Sequence, residues 1–106
     1  MVIRQWRARA AVLNPHGYPN HFRTSVLPVL LRTSGFLGAQ LSMRKVDADI
    51  EIQVLTRWQS MDDISRFAGS DVERAVVEQG AIAELLSFDS RVEHIEVIEV
   101  VEKPPE

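Results

Sequence analysis

Four stretches of this chain alternate apolar and polar side chains with period two, and helix-forming segments separate them in a fixed order. The pattern is cleanest in residues 50–58, IEIQVLTRW. Ile50, Ile52, Val54, Thr56 and Trp58 face one way there, and Glu51, Gln53, Leu55 and Arg57 the other. Residues 2–12 put Trp6, Ala8, Ala10 and Val12 on one side and Gln5, Arg7 and Arg9 on the other. In residues 36–45, Leu37, Ala39, Leu41 and Met43 oppose Gln40, Ser42 and Arg44. Residues 91–101, RVEHIEVIEVV, supply the last strand. Such strands require a sheet with one face covered.

The cover comes from the intervening segments. Asn14-Pro15 is a helix start, with Asn as N-cap and Pro at the first helical position. Tyr18, Phe22, Leu27, Leu30 and Leu31 follow at helical spacing, Pro28 predicts a kink near residues 24–28, and Gly35 ends the helix. Val46-Asp-Ala-Asp49 is a turn joining two strands into a hairpin. Ser60-Met-Asp-Asp63 is a weak capping box before Ile64, Phe67 and Ala68, and Gly69 stops that helix. Ser70-Asp-Val-Glu73 predicts a second short helix carrying Val72, Ala75 and Val76. After Gly80, residues 81–87 predict a third, with Ile82, Leu85 and Leu86.

The order is β-α-β-β-α-β. Right-handed crossovers then give one antiparallel sheet in the order 4-1-3-2 with the helices on one face, the ferredoxin-like α+β class. Residues 1–101 form a single domain, and the tail 102–106, EKPPE, is expected to fray. The first and last strands become neighbours, so Arg4, Arg7 and Arg9 are expected opposite Glu93, Glu96 and Glu99. The uncovered face receives Leu37, Leu41 and Met43, or the opposite set of that strand, with Ile3, Leu55, Ile95 and Val97. Apolar groups there call for a face-to-face homodimer.

Composition narrows the chemistry. The 106 residues carry a net charge of -3 with no run of like charge, which speaks against nucleic acid or an anionic membrane as partner. There are no cysteines, hence no disulfide and no thiolate chemistry. No apolar run reaches the ~18 residues of a membrane span. The expected location is the cytoplasm. There is no Gly-rich phosphate loop, nucleophile elbow or trusted metal-ligand spacing. His16 and His21 are expected in solvent, and Arg44 and Arg57 at a seam or in solvent.

The segment Val54-Leu-Thr-Arg-Trp58-Gln-Ser60, with Ile64-Ser-Arg-Phe67-Ala-Gly-Ser-Asp-Val72-Glu-Arg-Ala75 and Phe88-Asp-Ser-Arg-Val-Glu-His94-Ile-Glu-Val97, resembles the antibiotic biosynthesis monooxygenase family, and the resemblance runs essentially the whole chain. It implies a dimeric α/β barrel with a pocket between sheet and helices. Members include cofactor-independent oxygenases of phenols and quinols and haem-degrading enzymes. The iron-binding histidine of the latter aligns with Val77, their tryptophan with Phe67 and their strand-one asparagine with Trp6, which disfavours haem degradation here. In the oxygenase branch Trp58 matches an aromatic at the end of strand three, and Val54 stands where some members carry a polar group.

The resemblance therefore implies a monooxygenase that uses dioxygen on a small aromatic phenol or quinol, with no cofactor and no metal. Such a site needs aromatic walls, a dry pocket and help in removing a proton. His94 is the acid/base candidate, since a histidine titrates near ~6.5, and Trp58 joins it as a catalytic candidate. Trp6, Phe22, Val54, Phe67, Val77 and Phe88 are the candidate substrate contacts. The alternative is a non-catalytic homodimer that binds a small ligand.

Overall fold

A computed structural model describes residues 1–106. Strand β1 (Val2–Ala11) is the spine of the sheet. It pairs antiparallel along its whole length with β3 (Asp49–Trp58), from Val2 opposite Trp58 to Ala11 opposite Asp49. Strand β2 (Phe36–Val46) pairs antiparallel with the far side of β3, with an irregularity between Phe36 and Gly38. On the other side of β1 lie two short antiparallel strands, β4 (Ser87–Phe88) and β5 (Glu93–Glu96). The order β2-β3-β1-β4/β5 is the expected 4-1-3-2, with strand four in two pieces. This is a ferredoxin-like α+β fold.

The parity of β1 and β3 sorts the two faces. Trp6, Ala8 and Ala10 meet Val54, Ile52 and Ile50, and all six are buried on the helix side. Across β2, Ala39, Leu41 and Met43 register with Thr56, Val54 and Ile52 and so share that side. The open face therefore receives the opposite set, Gln40, Ser42 and Arg44, next to Leu55, Gln53 and Glu51. Its larger apolar groups in the ladder are Ile3, Ile95, Leu55 and Val46, with Ile3 directly opposite Ile95. Arg44 is not free there: its Nε donates to Glu51 at 3.1 Å. The hairpin turns at Asp47, whose φ is +56°, a conformation Asp tolerates.

The first crossover is one helical run in three parts: α1 (Gly17–His21), a π-helical turn (Phe22–Val26) and α2 (Leu27–Leu31). Pro28 has no N–H to return to the preceding turn, and the wider turn just before it is the expected irregularity. The start differs from expectation. The helix begins at Gly17, and Asn14 instead donates from Nδ2 to Glu84 Oε2 at 2.8 Å. Helix α3 (Met61–Ala68) starts as its capping box requires, with Asp63 N donating to Ser60 Oγ at 3.2 Å and the Ser60 hydroxyl donating to Asp63 Oδ2 at 2.8 Å.

The second crossover departs further. Residues 70–78 form no helix, and the third piece is a single turn, α4 (Gln79–Ile82). The strap 70–78 is tied to the sheet edge instead. Ala75 N donates to Ser90 O at 2.9 Å, Val92 N donates to Glu73 O at 2.7 Å, and Arg74 bridges Arg91. Arg91 holds Asp71 through two bonds of 2.7 and 3.0 Å. The last strand is shorter than 91–101, because its ladder on β1 ends where β1 begins: Val2 meets Glu96, and Val97 N donates to Met1 O at 2.9 Å. Ile98, Val100 and Val101 stay exposed.

The expected charge ladder is mostly absent. Arg7 reaches Glu93 at 3.4 Å, but Arg9 turns to Asp49 at 3.6 Å. Arg4 lies on the even parity of Trp6 and so points under the helices.

Gly35 joins α2 to β2 with φ +87°, and its carbonyl accepts from Gln59 N at 2.9 Å. A Cβ there would stand 2.1 Å from Asp63 Cγ, whereas a Cβ at Gly69, with φ +89°, would meet nothing within 4 Å. Gly35→Ala is expected to lower stability by about 2 kcal/mol or more and Gly69→Ala by less. Urea unfolding of both variants checks this, and equal losses would contradict it.

Candidate functional site

Between sheet and helices lies a cavity of about 420 Å³ counted out to its open mouth, of which about 50 Å³ is reachable by the centre of a water molecule. The sheet supplies Arg4 and Trp6 from β1 and Val54 and Thr56 from β3. The first crossover supplies Tyr18, Phe22, Val26 and Leu30, and Phe67 comes from α3. Val76 of the strap and Val92 close it. Four expected contacts, Trp6, Phe22, Val54 and Phe67, are thus brought together. They meet because β1 and β3 project alternate residues onto one face while the helix repeats near every fourth.

The other expected residues lie elsewhere. Trp58 is fully buried behind the wall, its Nε1 donating to Thr56 Oγ1 at 2.8 Å and its ring 5.6 Å from Phe67 and 5.5 Å from Phe36. Val77 and Phe88 line an outer groove with Ser90 and Arg91, although Phe88 keeps one side 6.3 Å from the Trp6 ring. In the extended strap it is Val76, one residue earlier, that reaches the cavity. His94 faces the helix side as expected but borders a surface groove with Met61 and Ser60, not the cavity itself. His21, expected in solvent, is packed under Gly80, with its Nε2 enclosed and without a hydrogen-bond partner.

The residues that sequence reasoning missed are polar. Arg4 is 5% exposed. Its Nη1 donates to Val72 O at 2.5 Å, its Nη2 donates to Arg74 O at 2.8 Å, and Nη1 lies 3.0 Å from His94 Nε2. Its guanidinium also lies 5.9 Å from the centre of the Phe67 ring. Burial lowers its pKa to about 10, so it stays charged at neutral pH. An arginine only donates, so His94 Nε2 must be the acceptor and its proton must sit on Nδ1. Desolvation, then the Arg4 charge, hold the His94 imidazole below its ordinary value, and Glu73 opposes them.

Tyr18 is the other missed group. Burial, and then the charge of Glu78, push its phenol above the ordinary value. Its ring packs 5.4 Å from Trp6, whose Nε1 donates to Asp89 O at 2.7 Å. The period-two parity of β1 was the available signal for Arg4, and the helical spacing for Tyr18. The cavity wall contains no histidine, cysteine, methionine or carboxylate. The one haem-ligand type in the wall is Tyr18, whose phenol is held against ionisation by burial, and the volume is small for a porphyrin.

No protein-family model matches this sequence, and neither does any curated protein. Solved structures do match. One is a substituted form of MhuD, crystallised with two manganese protoporphyrin IX molecules per active site: TM-score 0.66 and 21% identity over 97% of this chain and 100% of that one. Another is a Bacillus cereus protein provisionally assigned as an antibiotic biosynthesis monooxygenase: TM-score 0.61 and 14% identity over 94% of this chain and 97% of that one. At these identities the likeness is one of architecture. The chain has the fold of the antibiotic biosynthesis monooxygenases. No helix is long and apolar enough to cross a membrane.

The lowered pKa of His94 has a definite sign. The unfolded chain takes up this proton near pH 6.5, the folded protein only at lower pH. Stability is therefore expected to fall as pH drops from about 6.5 through the folded pKa. Unfolding curves at about pH 7 and about pH 5 should show a larger loss in the wild type than in His94→Gln. An equal loss in both would contradict the assignment.

Proposed function

We propose that this chain is a homodimeric monooxygenase that oxidises a small aromatic phenol or quinol with dioxygen, without a bound cofactor, in the cavity under the helices. The observation that carries this reading is the cavity wall: Trp6, Tyr18, Phe22 and Phe67 surround a space whose few polar groups are Arg4, Thr56 and the Tyr18 hydroxyl. A flat ring is held by such a wall, and exclusion of water protects a reactive radical pair. The ionised substrate gives an electron to dioxygen, a C–O bond forms at the ring, and the O–O bond breaks. For a phenol oxidised to a quinone, one oxygen atom is retained and the other leaves as water.

In this reading His94 works through Arg4, which already occupies its Nε2, and the positive guanidinium favours the ionised form of the substrate. Trp58 and Phe36 back the Phe67 wall. Val77 and Phe88 lie at the outer groove and are expected to matter less. The site is intracellular in this reading. The solved neighbours support it by architecture, and one of them by its assignment as a monooxygenase.

A second reading, a homodimer that binds a small ligand without turnover, is favoured by the scarcity of polar groups in the cavity. Oxygen uptake with a panel of hydroquinones and anthrones, without metal or flavin, separates the two. The expected result is saturable uptake that His94→Ala lowers by about tenfold or more. No uptake across the panel would reject the enzyme and leave the binder.

The homodimer would use the open sheet face, where Ile3, Ile95 and Leu55 cluster, and the exposed Ile98, Val100 and Val101 beyond β5. Sedimentation is expected to give about twice the chain mass of 12.0 kDa. A stable monomer would reject that part.

A further inference from the structure

A guanidinium carries five N–H donors and no acceptor. Arg4 uses three of them, on Val72 O, Arg74 O and His94 Nε2. Its Nε–H and one hydrogen of Nη2 have no acceptor in the protein. The Nε atom is not sealed off, because the one enclosed side-chain polar atom without a partner is His21 Nε2. Arg4 borders the cavity. Every ion pair in the molecule involves other residues, so no carboxylate answers this buried charge.

A buried cation without a counter-ion is costly unless a ligand supplies one. The shape of the vacancy narrows what that ligand is. The Nε–H lies on an edge of the guanidinium that takes a carboxylate oxygen. Beside it stands Phe67, and Trp6 and Phe22 line the same cavity. His94 contributes by being neutral. It accepts from Nη1 and fixes the orientation of the fork without cancelling its charge.

We propose that the ligand of this cavity is an aromatic acid, its carboxylate taken by the free Nε–H of Arg4 and its ring against Phe67, Phe22 and Trp6. The proposal rests on the reading of the cavity as the substrate site, and it makes the substrate a hydroxyaryl carboxylate in place of a neutral quinol. Arg4 is then the residue that sets specificity, and His94 positions it.

The test is a comparison of ligands on the wild-type protein under argon, since Arg4 also anchors the strap and its replacement could unfold the chain. Calorimetric titration with 2,5-dihydroxybenzoate, its methyl ester and inorganic phosphate gives three affinities. The acid is expected to bind at least about tenfold tighter than the ester, and its advantage to shrink as salt is added. An ester that binds as well as the acid, or an acid that does not bind, overturns the proposal. Phosphate that competes as well as the acid overturns its aromatic part. Oxygen uptake measured separately keeps the two ideas apart. Tight binding of the acid with no oxidation upholds the acid site and rejects the enzyme. Oxidation of neutral quinols with no preference for the acid does the reverse.

Discussion

The guanidinium of Arg4 holds together parts of the chain that otherwise have little reason to meet. It belongs to β1, yet two of its bonds end on main-chain carbonyls of the strap, 68 and 70 residues further along. A third reaches His94 on β5. Hydrogen bonds from a charged donor in a site of low dielectric are stronger than neutral ones, and carbonyls turned toward them are not free for a helical ladder. One side chain thereby bears on the course of residues 70–78, the tautomer of His94 and the polarity of the cavity roof.

The sheet edge follows from the same arrangement. The strap crosses beside β5, and the pair Arg91–Asp71 fastens it from outside with both partners in solvent. Exposed ion pairs of this kind contribute little by themselves. The enclosed bonds of Arg4 and the Trp6 bond to Asp89 O are the stronger fastenings, and both start from even-numbered positions of β1. The strand that organises the core thus also organises the site.

This explains what could be read in the amino-acid sequence. The alternation in β1 and β3 is local, and it located both faces of the sheet and brought Trp6 and Val54 to the cavity. Gly35 and Ser60 were legible for the same reason, because a positive φ and a helix cap depend on near neighbours. Residues 70–76 carry a capping-box pattern as good as that of α3, but their carbonyls are claimed from far away in the chain, and no local pattern records that. Arg4 was misplaced through charge complementarity with the glutamates of β5, where parity alone would have put it beside Trp6. The extent of the last strand was overread because its alternation continues past the residue at which β1 begins.

The π-helical turn deserves its place in the cavity wall for a geometric reason. Phe22, Val26 and Leu30 all border the cavity although they are spaced by fours. In an α-helix four residues overshoot a full turn by roughly 40°, so three such residues would spiral away from one another. The wider turn over Phe22–Val26 undershoots, α2 overshoots, and the two phase errors offset each other. All three side chains thus reach the one cavity above the sheet. In this chain a helical irregularity is what keeps the wall straight, and deleting one residue from that turn would rotate half of the wall out of the site.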